Sequence, residues 1–382
     1  STRKAIILNP NMPITYCNLG LIFRDLGKLE DAEVSLLKAI ELNPYFSTAH
    51  YLLSTLKSSS KNKLWQDQLF SENMLDNKLE KEKINIYFAR ANILHKKKNY
   101  KKSAEYLVLA NNYIHDLNSF DHEIKLKRSQ ELLFESTQKI VNHKEHIKSP
   151  ESIFIVGMYR SGSTLLESIL SMNPSVSALG EIDILEKSFL ASKQTSQKLD
   201  IAHLYWKKIK ILKNKGNITT NKNLNNYQYT GIILNQIPNA KIIHCYRNPL
   251  DNILSIYRAH FTTAKKYSSS LVDCAKVYLE QDEIMTEYKK YFRSKIYDLN
   301  YDLLVSNPKQ EINSLISWLG WQWSDLYLSP HLNTRSVSTA SSVQVRYPIN
   351  SKSLGGWKNY YQMLQPAIEI LTKSKRYKDI TS

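Results

Sequence analysis

Residues 157 to 164, Gly-Met-Tyr-Arg-Ser-Gly-Ser-Thr, have the residue types of an anion-binding loop. An apolar run, Ile153 to Val156, leads into Gly157, and after four residues Gly162, Ser163 and Thr164 open an apolar helical pattern. Such a loop presents backbone N–H groups and a helix N-terminus to an anion. The nucleoside-triphosphate version has the pattern G-x-x-x-x-G-K-[ST]. Here the spacing survives, Ser163 stands where the lysine would be, and Arg160 sits inside the loop. Loss of the lysine that reaches β- and γ-phosphates argues against a triphosphate. Kinase-like and ATP-using readings also need a buried strand ending in an Asp that supports Mg²⁺, whereas the strand at 240–246 runs into Arg247. A cation there repels a metal and attracts phosphate. In the helix that follows, Asp251, Ser255 and Arg258 fall on one face, so Ser255 and Arg258 are expected to meet an anion together with Arg247. Guanidinium forks suit phosphate oxygens. These residues predict a metal-free nucleotide with a second phosphate away from the loop.

The elements that must carry these residues alternate. Strand-like segments at 153–156, 217–222, 240–246 and 295–301 are separated by helical patterns at 163–172, 227–235, from Asn248-Pro249 onward, and 270–291. Asn248 followed by proline reads as an N-cap. The pattern is an α/β P-loop-type domain with a parallel sheet covered on both faces, assigned to residues 150–382. Ligands of such sheets sit at the carboxyl ends of the strands, and the unusual polar residues fall there.

The first third differs. Lys4-Ala5-Ile6 recurs 34 residues later as Lys38-Ala39-Ile40, each copy followed by Leu-Asn-Pro. Between them, two helical segments are broken at Gly27, with Gly20 and Ala32 small where paired helices must approach. This period resembles the tetratricopeptide repeat. A looser unit spans 87–114, with Ala89, Ala91, Tyr100, Ala104 and Tyr106 at matching places. Residues 120–149 read as a charged connecting helix ended near Ser149-Pro150. An α-solenoid of repeats with its connecting helix is therefore assigned to 1–149. The chain starts within the second helix of a repeat and lacks Met, so a trimmed start and an incomplete array are expected. The array either docks a peptide partner on its concave face or packs on its neighbour, or forms a homodimer.

The 382 residues are too many for one ordinary core. No segment has the roughly 18 apolar residues that span a bilayer, and no signal peptide is visible. Cys17, Cys245 and Cys274 make neither a disulfide framework nor a zinc spacing, which places the chain in a reducing, cytoplasmic compartment. The net charge of +17 accompanies a composition rich in Lys, Asn and Ile together. It reads as AT-rich coding and solvated helix faces. No nucleic-acid or membrane partner is expected.

Four ordered motifs, GMYRSGSTLLESIL, ALGEIDIL, TTNKNLNNYQYTGIILNQIPNAKIIHCYRNPLDNILSIY and SLGGWKNY, resemble the sulfotransferases that use 3′-phosphoadenosine-5′-phosphosulfate (PAPS). The match covers about residues 150 to 365 and is nearest to the tyrosylprotein sulfotransferase-like branch, in its bacterial form with N-terminal tetratricopeptide repeats. The resemblance implies a 5′-phosphosulfate loop at Arg160, Ser161, Gly162, Ser163 and Thr164, a 3′-phosphate pair at Arg247 and Ser255, and a closing element at Gly355, Trp357 and Lys358. Tyr301 matches a nucleotide-contacting tyrosine. Glu181 corresponds to the general base, although it would otherwise read as a helix N-cap carboxylate. A free glutamate titrates at about pH 4.3, roughly six units below a phenol, so it would act as the proton leaves. Lys222 corresponds to the lysine that stabilises the bridging oxygen, and Ser341, with Ser342 one residue on, to a serine that assists the transferring group. Three departures stand out. Asn221-Lys222-Asn223-Leu224 replaces Asp-Lys-x-Pro, Tyr159 replaces a proline, and Gly356 stands where bacterial relatives often carry arginine.

The expected reaction is sulfuryl transfer from PAPS to an acceptor hydroxyl without a metal, releasing adenosine 3′,5′-bisphosphate. The acceptor is a peptide tyrosine by the nearest branch, or a glycan or small metabolite. The competing reading is a non-catalytic repeat scaffold with a relic nucleotide domain.

Overall fold

The computed structural model describes residues 8–56, 64–117, 120–138, 140, 150–194, 200–212, 216–261 and 266–381. The first helices are α1 (Pro13–Asp25), α2 (Leu29–Leu42), α3 (Ser47–Thr55), α4 (Leu64–Leu69), α5 (Glu80–Lys96), α6 (Tyr100–Leu117) and α7 (His122–Thr137). α1 and α2 turn on Gly27, whose φ of +80° suits glycine. They approach closely at Gly20, where an added Cβ would lie 2.7 Å from Leu36 Cγ and 3.2 Å from the Ala32 carbonyl oxygen. The small residues of the repeat pattern are thus steric requirements. α5 and α6 form the looser pair, with Ala89, Ala91, Leu107 and Ala110 buried. The earlier copy at Lys4-Ala5-Ile6 and the expected end of the connecting helix near Ser149 lie outside the described residues. Asp121 caps the start of α7, its carboxylate accepting from the Glu123 N–H at 2.9 Å.

The second part is a five-stranded parallel sheet: β1 (Glu151–Gly157), β2 (Val176–Ala178), β3 (Ile218–Asn221), β4 (Ala240–Tyr246) and β5 (Ile296–Asn300), in the order β2-β3-β1-β4-β5. Around it lie α8 (Ser163–Leu170), α9 (Ile184–Gln194), α10 (Ile201–Leu212), α11 (Thr230–Gln236), α12 (Pro249–Tyr257), α13 (Leu271–Phe292), α14 (Tyr301–Ser306), α15 (Pro308–Leu319) and α16 (Gln365–Leu371). Side chains alternate across a strand, and both faces of β1 are buried. Ile153 and Ile155 join one apolar core with Leu166 and Ile253. Phe154 and Val156 join the other with Tyr229 and Ile284. Two details differ from the sequence pattern. The helix expected from Tyr227 is a 3₁₀ turn through Tyr229, because Asn223 caps the preceding bend by accepting from Asn225 N–H, and the α-helix starts at Thr230. Strand β2 has three residues, too short to announce itself.

The repeat helices are not held apart from the sheet. Ile84, Phe88, Leu107 and Ala110 belong to the same apolar core as Ile153 and Ile155. The Asn111 side-chain amide donates to the Tyr257 carbonyl at 2.9 Å.

Candidate active site

Parallel strands deliver their carboxyl ends to one edge, and each of the five ends there in a singled-out residue. The loop 157–164 follows β1, Glu181 follows β2, Lys222 follows β3, Arg247 follows β4 and Tyr301 follows β5. The chemistry is therefore placed by the sheet, with β1 at its centre.

The loop is shaped by its glycines. Gly157 has φ +137°, and a Cβ there would sit 2.2 Å from the Cys245 carbonyl oxygen. Gly162 has φ +93°, and its Cβ would strike the Tyr301 ring at 2.2 Å. Arg160 holds a left-handed φ of +67°, a conformation uncommon outside glycine that recurs at functional loops. This turn lets its guanidinium fan across the site. Nε donates to Ser255 Oγ at 3.1 Å, Nη1 donates to Ser341 Oγ, and Nη2 donates to Gln344 Oε1 at 2.9 Å. Burial, then the neighbouring Arg247, push the Arg160 guanidinium down to about 10, so it stays charged at neutral pH. Ser161 is 1% exposed, and its Oγ has no hydrogen-bond partner among the described residues. Ser163 and Thr164 open α8, with Thr164 Oγ1 3.3 Å from Thr339 Oγ1.

Arg247 is buried over the Tyr301 ring, 4.7 Å from its centroid. Nη2 donates to the Ser353 carbonyl at 3.1 Å, while Nε lacks a hydrogen-bond partner among the described residues. Two carboxylates stand off at 3.8 Å (Asp251) and 3.9 Å (Asp302). Asp251 is committed elsewhere, accepting from Gly355 N–H at 2.7 Å and Trp357 N–H at 2.9 Å. It thereby ties the Gly-x-Trp element to α12. Trp357 is buried and Lys358 exposed, with Lys358 Nζ 5.9 Å from the Trp357 ring centroid. The Asp251, Ser255 and Arg258 face is split in use. Ser255 meets Arg160, and Arg258 lies 5.8 Å over the Tyr360 ring rather than beside Arg247.

Glu181 and Lys222 form an ion pair, Nζ to Oε1 3.0 Å, with the lysine side chain 1% and the glutamate side chain 35% exposed. A buried ammonium thus backs a carboxylate that still faces outward. The pair is set by the backbone, since Lys222 N–H donates to the Gly180 carbonyl at 2.8 Å. Beneath it lies Glu167, absent from the sequence reading. Its Oε1 accepts from Gly180 N–H at 3.1 Å and Thr220 Oγ1 at 3.0 Å, and its Oε2 faces Arg335 Nη2 at 3.1 Å. Glu167 is the one charged residue of α8 and is 1% exposed, a burial that its partners from distant segments create. Tyr159, in the place of a proline, packs on Phe261, and burial and Glu181 push its phenol up.

The structure therefore gathers Arg160, Ser161, Thr164, Arg247, Ser255, Tyr301 and Ser341 around one loop, with Glu181 and Lys222 at its side. Two buried donors, Ser161 Oγ and Arg247 Nε, have no hydrogen-bond partner among the described residues, the second with Asp302 Oδ1, also without one, 3.9 Å away. Buried polar groups are normally paired, so an anion with acceptor oxygens fits this place.

Residues 150–325 match the model of the sulfotransferase family, and residues 13–46 match the tetratricopeptide repeat. An uncharacterized protein of Aquifex aeolicus is 26% identical over 92% of this chain and 49% of its own length, so the chain spans about half of that relative. Protein-tyrosine sulfotransferase 2 of Gallus gallus is 25% identical over 64% of this chain and 72% of its own. Among solved structures, a sulfotransferase domain from the Synechococcus PCC 7002 olefin synthase aligns over 60% of this chain and 97% of its own, with 16% identity and a TM-score of 0.42. Among the described residues no helix is long and apolar enough to cross a membrane.

Proposed function

We propose that this chain, which carries a sulfotransferase-family domain behind a tetratricopeptide repeat, transfers a sulfuryl group from PAPS to an acceptor hydroxyl. A tyrosine phenol is the acceptor class we favour, in line with the name of the Gallus gallus relative. The observation that carries the reading is the pair of buried, unsatisfied donors, Ser161 Oγ and Arg247 Nε, flanking a lysine-free loop.

PAPS supplies a sulfuryl group on a phosphate leaving group. Ser161, Ser163, Thr164 and the loop backbone are the groups for its 5′ end, and Arg247 with Ser255 for the 3′-phosphate. The Ser255 hydroxyl accepts from Arg160 Nε and still has its own proton to donate to a phosphate oxygen. Tyr301, beside the loop, and the strap that carries Trp357 flank the place for the nucleoside. The Arg160 guanidinium, turned by its left-handed backbone toward Ser341, is a fixed cation where charge grows on transfer. Glu181 takes the acceptor proton. Lys222 holds the carboxylate in place, and its ammonium has further donors for the leaving oxygen. The 35% exposure of Glu181 leaves it open to an incoming hydroxyl.

Thermal shift with adenosine 3′,5′-bisphosphate against Mg-ATP tests the nucleotide half. Stabilisation by the bisphosphate and not by ATP is expected, and the reverse order refutes it. Transfer of ³⁵S from labelled PAPS to tyrosine peptides, phenols and glycans tests the acceptor half.

A further inference from the structure

The repeat array does more than sit beside the sheet: it touches the two segments that close over the site. The first is 333–346, which carries Ser341. Its inner side meets the loop and α8. Arg160 donates to Ser341 and Gln344, Thr339 Oγ1 faces Thr164 Oγ1, and Arg335 pairs with Glu167. Its outer side is bound to the turn between α1 and α2. The Asp25 carbonyl accepts from Val337 N–H at 2.9 Å and from Arg346 Nη2 at 2.8 Å. Arg346 also donates to the Asn333 and Arg335 carbonyls at 2.7 and 2.8 Å, gathering the segment into a loop. The fit is close, since a Cβ on Gly27 would lie 2.7 Å from Arg346 Nε. Val343 packs on the core of the first repeat.

The second segment is the strap 355–360, which carries Trp357 and Lys358. Its far end, Tyr360, is held by the other helix pair. The hydroxyl donates to Ser103 Oγ at 3.0 Å and lies 2.8 Å from His95 Nδ1, and the two rings stack at 5.9 Å. Arg258 covers the same Tyr360 ring.

We infer that the repeat array is a positioning element of the catalytic site, with Arg346 and Tyr360 as its two points of purchase. The α1–α2 turn fixes the Ser341 segment against Arg160, and α5–α6 fix the nucleotide strap. This rests on the PAPS reading for its kinetic consequence but not for its structural one. Neither segment is a sheet strand or a long helix, so its geometry must come from what it leans on. Displacements of about 1 Å at a reacting group can cost about 10²-fold in rate.

The two anchors predict separable effects. Arg346→Ala should lower kcat by about 10²-fold, leave the bisphosphate Kd within about threefold, and speed hydrogen exchange across 333–346. Arg346→Lys, which keeps the charge but not the fork, should fall between. It also carries the test if the alanine variant fails to fold. Tyr360→Phe, which removes the hydroxyl's contacts with both Ser103 and His95, should weaken the bisphosphate Kd by about fivefold or more, and speed exchange across 355–360. The inference is overturned if exchange in those segments is unchanged in the folded variants, or if it rises while turnover and nucleotide affinity stay at wild-type values. If the wild-type protein neither binds the bisphosphate nor turns over, the PAPS reading has failed, and the exchange results alone decide whether the array holds the segments.

Discussion

Replacing Glu181 by Gln separates a base from a structural carboxylate. The substitution removes the charge that faces Lys222 Nζ at 3.0 Å but keeps an oxygen able to accept from it. At an effective dielectric of about 20, a pair at this distance has a gross attraction of roughly 5 kcal/mol. Little of this is net stability. The glutamate side chain is 35% exposed, so water screens it and would replace part of what is lost. The lysine is 1% exposed and keeps its hydrogen bond to the Gln oxygen. The expected loss is about 1–2 kcal/mol, a drop of a few °C in Tm. Kd for the bisphosphate should stay within about threefold, because the Glu181 carboxylate is engaged by Lys222, whereas the groups assigned to the nucleotide phosphates, Arg247 and Ser255, are held by Ser353 and Arg160. Turnover should fall by about 10²-fold or more, the usual worth of a positioned base. The assay is PAPS-dependent transfer to a phenolic acceptor, run beside thermal shift with and without bisphosphate. If kcat survives, or if kcat and nucleotide affinity fall by the same factor, Glu181 is structural and the assignment of the base is wrong.

Other outcomes follow from the same geometry. Arg247→Ala should weaken the bisphosphate first, by about 10-fold or more for a charge-assisted contact, and an unchanged calorimetric Kd would remove the 3′-phosphate site. Gly162→Ala combines a φ of +93° with a clash against Tyr301. Loss of nucleotide-induced stabilisation is expected even where a folded protein is recovered, and normal stabilisation would show that the loop is not held as described. Acid should destabilise the repeat through His50, buried with Nε2 2.9 Å from the Pro44 carbonyl and pushed down to about 4 by burial. Its folded value lies below its unfolded value of about 6.5, so the unfolded chain takes up the proton first. Stability is then lost as pH falls through the window from about 6.5 to 4, by about 2 kcal/mol at pH 5 for this one group. Denaturant melts of wild-type and His50→Gln proteins between pH 7 and 5 check the sign, and parallel curves would refute it.

How much of this could be read from the chain depends on where the cause of each feature lies. Gly20, Ala32 and Gly27 announce the repeat because their sizes answer to neighbours a few residues away in the same unit. The loop 157–164 and Arg247 are legible for a related reason. A buried strand that ends in glycine or in a charge has few uses other than presenting something at the sheet edge. Signals weaken as the cause becomes long-range. Glu167 reads as an ordinary helix residue until Gly180, Thr220 and Arg335 are brought to it, three segments that no local pattern connects. Ser341 and Ser342 are indistinguishable by type and neighbours. Their difference is one of direction, since Ser341 Oγ accepts from Arg160 while Ser342 is 2% exposed and turned inward. That direction is set by Arg346 reaching the Asp25 carbonyl, a contact between residues 321 positions apart. A motif can therefore name the residues gathered at the sheet edge, whereas the orientation of Ser341 depends on contacts with a repeat that carries none of the motif.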